Sequence, residues 1–393
     1  MDTAYIVLNG FKQNGEISIA DEEGLLQAAD VLKEGGLVAF PTETVYGLGG
    51  NALLKEAAKR IYAAKGRPSD NPLIVHIAEL KDIEPLVSRL SPEAKKLAET
   101  FWPGPLTMVL PKSDAVPMET TGGLETVAVR MPEHPVAREL IRLCGLPIAA
   151  PSANLSGRPS PTTAEHCLRD LNHKIEAIVD GGACRIGVES TIVDMSGEKP
   201  VLLRPGAITL EMLKAALQTE VDVDPTLEKP AELGSGLRPK APGMKYRHYA
   251  PKAPMLIIQP AAYRGEDGIE DGRMLRASFQ KVAAAAQEEA EQHLVKGERV
   301  GIICSDETFP YYFKEGAPVP ENKRFSDGHV WLCSLGSRKD TRSIAHNLFA
   351  LLREMDEDQV DFIIAEGVDP QKLGYAIMNR MKKAAGQHIR WIS

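Results

Sequence analysis

The sequence predicts an α/β protein of two domains, a larger one of mixed α/β rhythm with many short strands and a smaller one built on a parallel sheet. Three observations carry that expectation. At 393 residues the chain exceeds what a single core usually organises. Short apolar runs alternate with helical periods along most of its length. Near residues 221–253 apolar periodicity fades, prolines and glycines gather, and a new strand–helix rhythm starts at Met255. The expected division is 1–220 for the first domain, 221–253 for a basic linker, and 254–393 for the second domain.

The elements come in order along the chain. Glu22 to Lys33 has a helical pattern that stops at Gly35-Gly36, and Val38-Ala39-Phe40 is a short buried strand ended by Pro41. Leu53 to Ala64 reads as a helix and Leu73 to Ile77 as a strand. Pro92 to Phe101 is helical and breaks at Trp102-Pro103-Gly104-Pro105. Strands are expected at Leu106–Leu110, Val127–Arg130, Ile148–Ala150, Ala177–Val179, Thr191–Asp194 and Val201–Leu203. Helices are expected at Pro135–Cys144, Thr163–Leu171 and Thr209–Ala216. Beyond the linker, strands are expected at Met255–Ile258, Val300–Cys304, Val330–Leu332 and Asp361–Ile364. The helical stretches between them are Met274–Val295 and Thr341–Arg353.

Composition narrows the function classes. With 43% hydrophobic and 25% charged residues the chain is of ordinary globular type. A net charge of −8 argues against bulk binding of nucleic acid, though a small basic pocket is compatible with it. Five cysteines, an odd number without a C-x-x-C pair, argue against a disulfide framework and a structural zinc site. The start has no basic region ahead of an apolar core, and no apolar run approaches the roughly 18–20 residues of a membrane helix. A cytoplasmic protein that does not enter membranes is expected.

The chemistry concentrates in a few polar segments. In Ala64-Lys65-Gly66-Arg67-Pro68-Ser69-Asp70-Asn71-Pro72-Leu73, a glycine separates two cations and two prolines stiffen the residues after them. Such a loop suits a phosphate, since guanidinium reads oxyanions as a fork and ammonium acts as a point charge. A solvated basic turn is the plainer alternative. Pro41-Thr42-Glu43-Thr44-Val45-Tyr46-Gly47-Leu48-Gly49 comes directly after a strand end, where ligands of open α/β sheets bind, or else it is a simple turn in which Thr44 caps a short helix. His76 within an apolar strand is by itself more often a core residue than a ligand. Arg130 closes an apolar strand, a place better suited to meeting a carboxylate or phosphate than to solvation.

Ala149 to Thr162 is dense in hydroxyls, prolines and small residues. Ser152 and Asn154, two apart in an extended segment, would face the same way, unless the stretch only caps a helix through Thr162. Gly187-Val188-Glu189-Ser190-Thr191 is another polar strand entry, and Leu203-Arg204-Pro205-Gly206 holds an arginine at a strand end. In the linker, Lys245, Tyr246, Arg247 and His248 mix aromatics with cations, which fits either a tether or a cover for a pocket. No G-x-G-x-x-G in the right context, P-loop, Ser-His-Asp set or H-E-x-x-H appears. Fixed cations, hydroxyls and glycine amides suit a reaction whose substrates supply the nucleophile.

Taken together these segments resemble the YrdC family in its long two-domain form. The matching motifs are P-T-E-T-V-Y-G-L-G at Pro41–Gly49, K-G-R-P-x-x-N-P-L at Lys65–Leu73, W-P-G-P-L-T at Trp102–Thr107 and V-R-M-P-x-H-P at Val129–Pro135. They continue with A-P-S-A-N-x-S-G at Ala150–Gly157, G-V-E-S-T-I at Gly187–Ile192, L-R-P-G at Leu203–Gly206 and the P-G-M-K-Y-R-H-Y-A-P linker. The resemblance is dense from about Ile19 to Pro251 and weaker beyond. It implies a YrdC-like twisted, open mixed sheet with helices, then a smaller Rossmann-like parallel α/β domain.

The resemblance also implies an activity, in which L-threonine, bicarbonate and ATP condense to threonylcarbamoyl-adenylate and pyrophosphate. Partner transferase proteins would then pass the group to adenosine beside the anticodon of tRNA. Lys65 and Arg67 would be the catalytic cations. Thr44, His76, Arg130 and Ser190 would hold threonine, with Arg130 on its carboxylate. Lys65, Arg67, Asn71, Thr126, Ser152, Asn154, Arg204 and Tyr246 would hold ATP, and Lys245, Arg247 and His248 would act as a lid. Magnesium would arrive with ATP, without a protein cage of its own. A weak tRNA or RNA contact stays open. The rival reading is an RNA-binding module without adenylation activity, against which the net charge and the lack of an RNA-binding motif count. A carbamoyltransferase acting on protein is a further alternative, but the acylphosphatase and zinc-finger segments of such hydrogenase maturation factors are not seen in this sequence.

Overall fold

The structure, a computed structural model, describes residues 2–8, 19–227, 239–242, 248–264 and 272–393. Two units emerge from their packing: residues 1–156 with 160–246, and residues 157–159 with 247–393.

The first unit runs β1 (Ala4–Val7), α1 (Ile19–Lys33), β2 (Val38–Phe40), β3 (Gly47–Asn51), α2 (Lys55–Lys65), β4 (Ile74–His76), α3 (Pro92–Phe101), β5 (Leu106–Pro111) and β6 (Thr126–Arg130). It continues with α4 (Pro135–Cys144), β7 (Ile148–Ala149), α5 (Ala164–Leu171), β8 (Ala177–Asp180), β9 (Thr191–Asp194), β10 (Val201–Arg204), α6 (Leu210–Leu217) and β11 (Asp222–Val223). The helices begin where short polar side chains meet orphan amides: Ser91, Thr163 and Thr209 each accept an N–H from the first turn. Thr163 therefore caps α5, in place of the Thr162 considered from sequence. Gly66 and Gly145 end α2 and α4 in the left-handed conformation.

The strands form one 11-stranded sheet in the order β1-β8-β2-β3-β7-β4-β6-β5-β9-β10-β11. Pairing is mixed: β4 runs parallel to β6, while β2–β3, β3–β7, β4–β7 and β5–β6 are antiparallel. The expected mixed α/β fold is thus observed. α1 and α4 pack on one face over Val38, Phe40, Ile148 and Val179, making a buried aliphatic core.

One expectation changes. For residues 41–46 the alternative of a turn leading into a short helix falls, because β3 comes next and pairs back on β2, so the segment is the loop of an antiparallel hairpin. β3 escapes a propensity reading because its sequence is Gly-Leu-Gly-Gly-Asn. Its glycines serve close approach: a Cβ on Gly49 would lie 2.8 Å from Phe40 Cε1, 2.9 Å from Ile148 Cγ2 and 3.2 Å from the Val38 carbonyl oxygen.

The second unit contains β12 (Met255–Pro260), α7 (Gly272–Leu294), β13 (Val300–Cys304), β14 (Arg324–Ser326), β15 (Val330–Ser334), α8 (Thr341–Glu357), β16 (Phe362–Glu366), α9 (Leu373–Ala384) and β17 (Ile389–Ile392). Its sheet order is β14-β15-β13-β16-β12-β17, and β14 alone among these strands pairs antiparallel. This is the parallel-rich sheet expected. β14, α9 and β17 are additions to the elements expected from sequence. At the carboxyl end of β16, buried Glu366 accepts hydrogen bonds from Thr308 Oγ1 (2.6 Å), Tyr312 OH (2.8 Å) and Arg338 Nη2 (2.9 Å). That polar network is internally closed.

Among the described residues, no helix is long and apolar enough to cross a membrane.

Candidate functional site

The site lies in the first unit, where the β2–β3 loop, the ends of β4 and β6, and the segments around residues 65–72, 150–154 and 190 converge. Its first corner is built on Arg130. Within the hairpin loop Thr42 Oγ1 accepts the amides of Thr44 and Val45, each at 3.2 Å, and donates to the Val45 carbonyl at 2.6 Å. Thr42 thereby closes the turn, and Thr44 accepts a 2.8 Å hydrogen bond from Arg130 Nη1. Thr44 caps no helix.

Arg130 ends β6, and its register partner on parallel β4 is His76. Both are buried, at 4% and 3% exposure, so neither is a solvated strand terminus. Arg130 Nε also reaches the Gly104 carbonyl at 3.4 Å. His76 Nδ1 sits 3.1 Å from the Ile74 carbonyl, with its ring edge-on to Phe40. Burial, and then the Arg130 charge, lower its pKa to about 3, so the imidazole is neutral at ordinary pH.

Ser190 completes this corner from the far side. Its hydroxyl is 2.7 Å from Thr107 Oγ1 and accepts from Arg204 Nη2 at 3.1 Å, while Arg204 Nε donates to the Ser190 carbonyl at 3.0 Å. Arg204 therefore meets the residue assigned by resemblance to threonine. Its Nη1 reaches the Pro242 carbonyl at 3.4 Å, and Ala241 packs against Ile74, Val109 and Leu203. The described stretch 239–242 of the expected linker is thus seated on the sheet.

The second corner is built on the two cations. Gly66 holds φ +60° at the end of α2, which turns the chain sharply between Lys65 and Arg67. Lys65 Nζ donates to the carbonyls of Ser152 and Asn154 and lies 3.4 Å from Asn154 Oδ1. Arg67 donates through Nε to the Asn71 carbonyl (3.2 Å) and through Nη2 to the Pro72 carbonyl (3.0 Å). With Lys65 at 2% and Arg67 at 9% exposure, the solvated basic turn is ruled out. Asn71 Oδ1 is buried without a hydrogen-bond partner. Ser152 Oγ donates to Asn154 Oδ1 at 2.5 Å, so the two side chains do meet. They meet across a bend at Ala153–Asn154, where an extended segment was expected.

Backbone hydrogen bonds tie the corners together. Ala150 N–H reaches the Ile74 carbonyl at 2.8 Å, and Leu48 and Ala153 bridge the 150–154 segment to the hairpin through Pro151 and Tyr46. Thr126, half-buried at the start of β6, shares a strand face with Arg130 four residues on. Lys245, Tyr246 and Arg247 lie outside the described residues. His248 is described in the second unit, where its ring sits 5.5 Å from Tyr249, which packs on Phe349.

Two residues of the site do not stand out in the sequence. Thr107 pairs with Ser190. Glu43, 2% exposed, places Oε1 2.7 Å from Arg130 Nη2. A signal for Glu43 does exist: it is the one charge in the otherwise neutral stretch Pro41–Gly49.

Comparisons with known proteins identify the family of the chain. Residues 30–206 match the family described as telomere recombination, and residues 208–386 the one described as the threonylcarbamoyl-AMP synthase C-terminal domain. The threonylcarbamoyl-AMP synthase of Pyrococcus abyssi is 48% identical over 368 residues, covering 92% of this chain and 94% of that protein. Its Bacillus subtilis counterpart is 46% identical over 375 residues, covering 95% and 96%. A crystal structure of Pyrococcus abyssi Sua5 complexed with L-threonine covers 100% of both chains, at 44% identity and a TM-score of 0.80. On sequence and fold together, the chain belongs to the threonylcarbamoyl-AMP synthase family.

Proposed function

We propose that the protein condenses L-threonine, bicarbonate and ATP into threonylcarbamoyl-adenylate and pyrophosphate, as a nucleotidyltransferase. The observation that carries this reading is the pair of corners on one scaffold: buried Lys65 on Ser152 and Asn154 with buried Arg67 on Asn71 and Pro72, and buried Arg130 with Thr44 in the other corner. Relatives named for this synthase support it, as does the solved relative described as complexed with L-threonine.

In the reaction the neutral amine of threonine attacks the carbon of bicarbonate, giving a carbamate and water. A carbamate oxygen then attacks the α-phosphorus of ATP and pyrophosphate leaves. No protein nucleophile takes part; the chain positions the substrates and offsets charge. Arg130 takes the threonine carboxylate, while Thr44, neutral His76 and Ser190 complete its pocket. Lys65, Arg67 and Arg204 face the phosphates, and Asn71, Thr126, Ser152 and Asn154 supply polar contacts to the nucleotide. On binding, phosphate oxygens compete with the Ser152, Asn154, Asn71 and Pro72 carbonyls for the two cations, a charge-assisted exchange that favours the anion.

Lys65, Arg67, Asn71 and Ser152 offer no carboxylate, a donor set that suits magnesium held by ATP's phosphates and water. Tyr246 belongs to the nucleotide side, and Lys245, Arg247 and His248 to a lid that limits hydrolysis of the product. The product goes to partner transferases that modify adenosine next to the tRNA anticodon. Five buried free thiols fit a reducing, cytoplasmic setting. The RNA-binding reading is disfavoured by burial, since cations as enclosed as Lys65 and Arg67 cannot lie along a duplex backbone.

The test is mass spectrometry after incubating the protein with magnesium, ATP, L-threonine and carbon-13 bicarbonate. The expected result is threonylcarbamoyl-adenylate carrying the label. Its absence from protein that binds ATP would overturn the reading.

A further inference from the structure

The Arg130 corner contains a charge that the proposed reaction does not use. Glu43 Oε1 lies 2.7 Å from Arg130 Nη2, yet neither Glu43 oxygen nor Nη2 has a directional hydrogen-bond partner. Both side chains are more than nine-tenths buried. Buried charged atoms without hydrogen bonds are costly, and in a protein without ligand they mark where ligand atoms belong. The rest of the hairpin loop is satisfied from within. Thr42 closes the turn, Thr44 accepts from Arg130, and Tyr46 OH donates to the Gly182 carbonyl at 2.7 Å.

The titratable groups that act on Glu43 and Arg130 from neighbouring elements are neutral. His76 on β4 is uncharged, its pKa held far below neutrality. His134, at the start of α4, has its pKa lowered to about 4 by burial, with Glu43 pulling weakly the other way. Burial pushes the Cys184 thiol far up. At the hairpin loop one cation and one anion are therefore adjacent and incompletely hydrogen-bonded, while Arg204 is engaged on Ser190. A zwitterionic α-amino acid carries the complementary pair on a single carbon. A carboxylate alone would satisfy Arg130 and leave Glu43 exposed to the anion; an amine alone would do the reverse.

Resting on the proposed synthase function, we propose that Glu43 receives the ammonium group of the bound amino acid while Arg130 takes its carboxylate. Glu43 is then a specificity-determining residue that makes the pocket select zwitterions over deaminated acids of the same shape. The competing structural role, in which Glu43 only steadies Arg130, makes a different prediction. A residue that acts through Arg130 affects every carboxylate ligand alike, whereas an ammonium receiver affects only ligands that carry an amine.

The experiment is calorimetric titration of the full chain with L-threonine and with 3-hydroxybutyrate, which keeps the carboxylate and hydroxyl but lacks the amine. ATP binding is measured in parallel as the check on folding. For Glu43→Gln, the dissociation constant for L-threonine is expected to rise about tenfold or more, while that for 3-hydroxybutyrate stays level or falls. Glu43→Asp, which keeps the charge on a shorter arm, is expected to retain part of the preference and serves if the Gln variant loses ATP binding. Parallel weakening of both ligands, or unchanged L-threonine binding, would overturn the inference. If the unaltered protein binds ATP but not L-threonine, the functional reading itself fails.

Discussion

Arg67 serves the fold directly and, in the proposed reaction, the phosphates as well. Its guanidinium spans the Asn71 and Pro72 carbonyls, which holds the Pro68–Pro72 loop against β4 while keeping the charge beside Asn71. Replacing it by alanine should weaken ATP binding by roughly 1.5–3 kcal/mol, about ten- to a hundredfold in dissociation constant by calorimetry. Unchanged ATP affinity would reduce the loop to a structural element. His76 makes a prediction about pH. Its folded pKa of about 3 lies below the ordinary 6.5, so the unfolded chain binds the extra proton between those values. Its contribution to stability is therefore whole above about pH 6.5 and declines as pH falls toward 3. The His76 ring proton, identified in NMR spectra by its loss in His76→Asn, should not titrate between about pH 8 and pH 5. A midpoint near 6.5 would contradict the burial argument. Residues at this scale were legible where residue type alone limits the role, as for Lys65, Arg67 and Arg130. Partners were not legible, because Arg204 meeting Ser190 depends on how β9 and β10 pair, and Glu43 meeting Arg130 on strands far apart in sequence.

At the scale of elements, local chemistry and tertiary contact can be told apart. The helices start and stop on local chemistry, since Ser91, Thr209, Gly66 and Gly145 act through backbone groups within a few residues. The cap of α5, however, falls on Thr163 and not on the Thr162 considered from sequence. α9 lacks such a start: Lys372 makes no side-chain cap, and Gly374 sits early because a Cβ there would lie 1.7 Å from the Asp369 carbonyl oxygen. β1 has only four residues and pairs with β8 across most of the first unit, so nothing nearby announces it. Two glycines give a paired prediction. Gly66→Ala meets open space but a left-handed backbone, and should cost about 1–2 kcal/mol. Gly49→Ala meets the Phe40 ring, Ile148 and the Val38 carbonyl, and should cost about 1–3 kcal/mol through displacement of β2 and β7. Urea unfolding measures both. An unaffected Gly49→Ala protein would mean that β3 is not held by close approach.

At the scale of the whole molecule, the acidic total and the basic pocket are reconciled by burial. A net charge of −8 sets the character of the surface, while Lys65, Arg67, Arg130 and Arg204 are enclosed in the first unit, as the proposed binding of small substrates requires. The α/β character of both units and the parallel sheet of the second were legible because strand and helix periods differ, while the mixed sheet of the first was implied by the family resemblance. The central claim is that this pocket joins three substrates without a protein nucleophile. Pyrophosphate release from ATP, measured in carbonate-free buffer with L-threonine and bicarbonate each omitted in turn, tests it most directly. The account predicts release only when both are present. Release that persists when either is left out, or no release with all three, would contradict it.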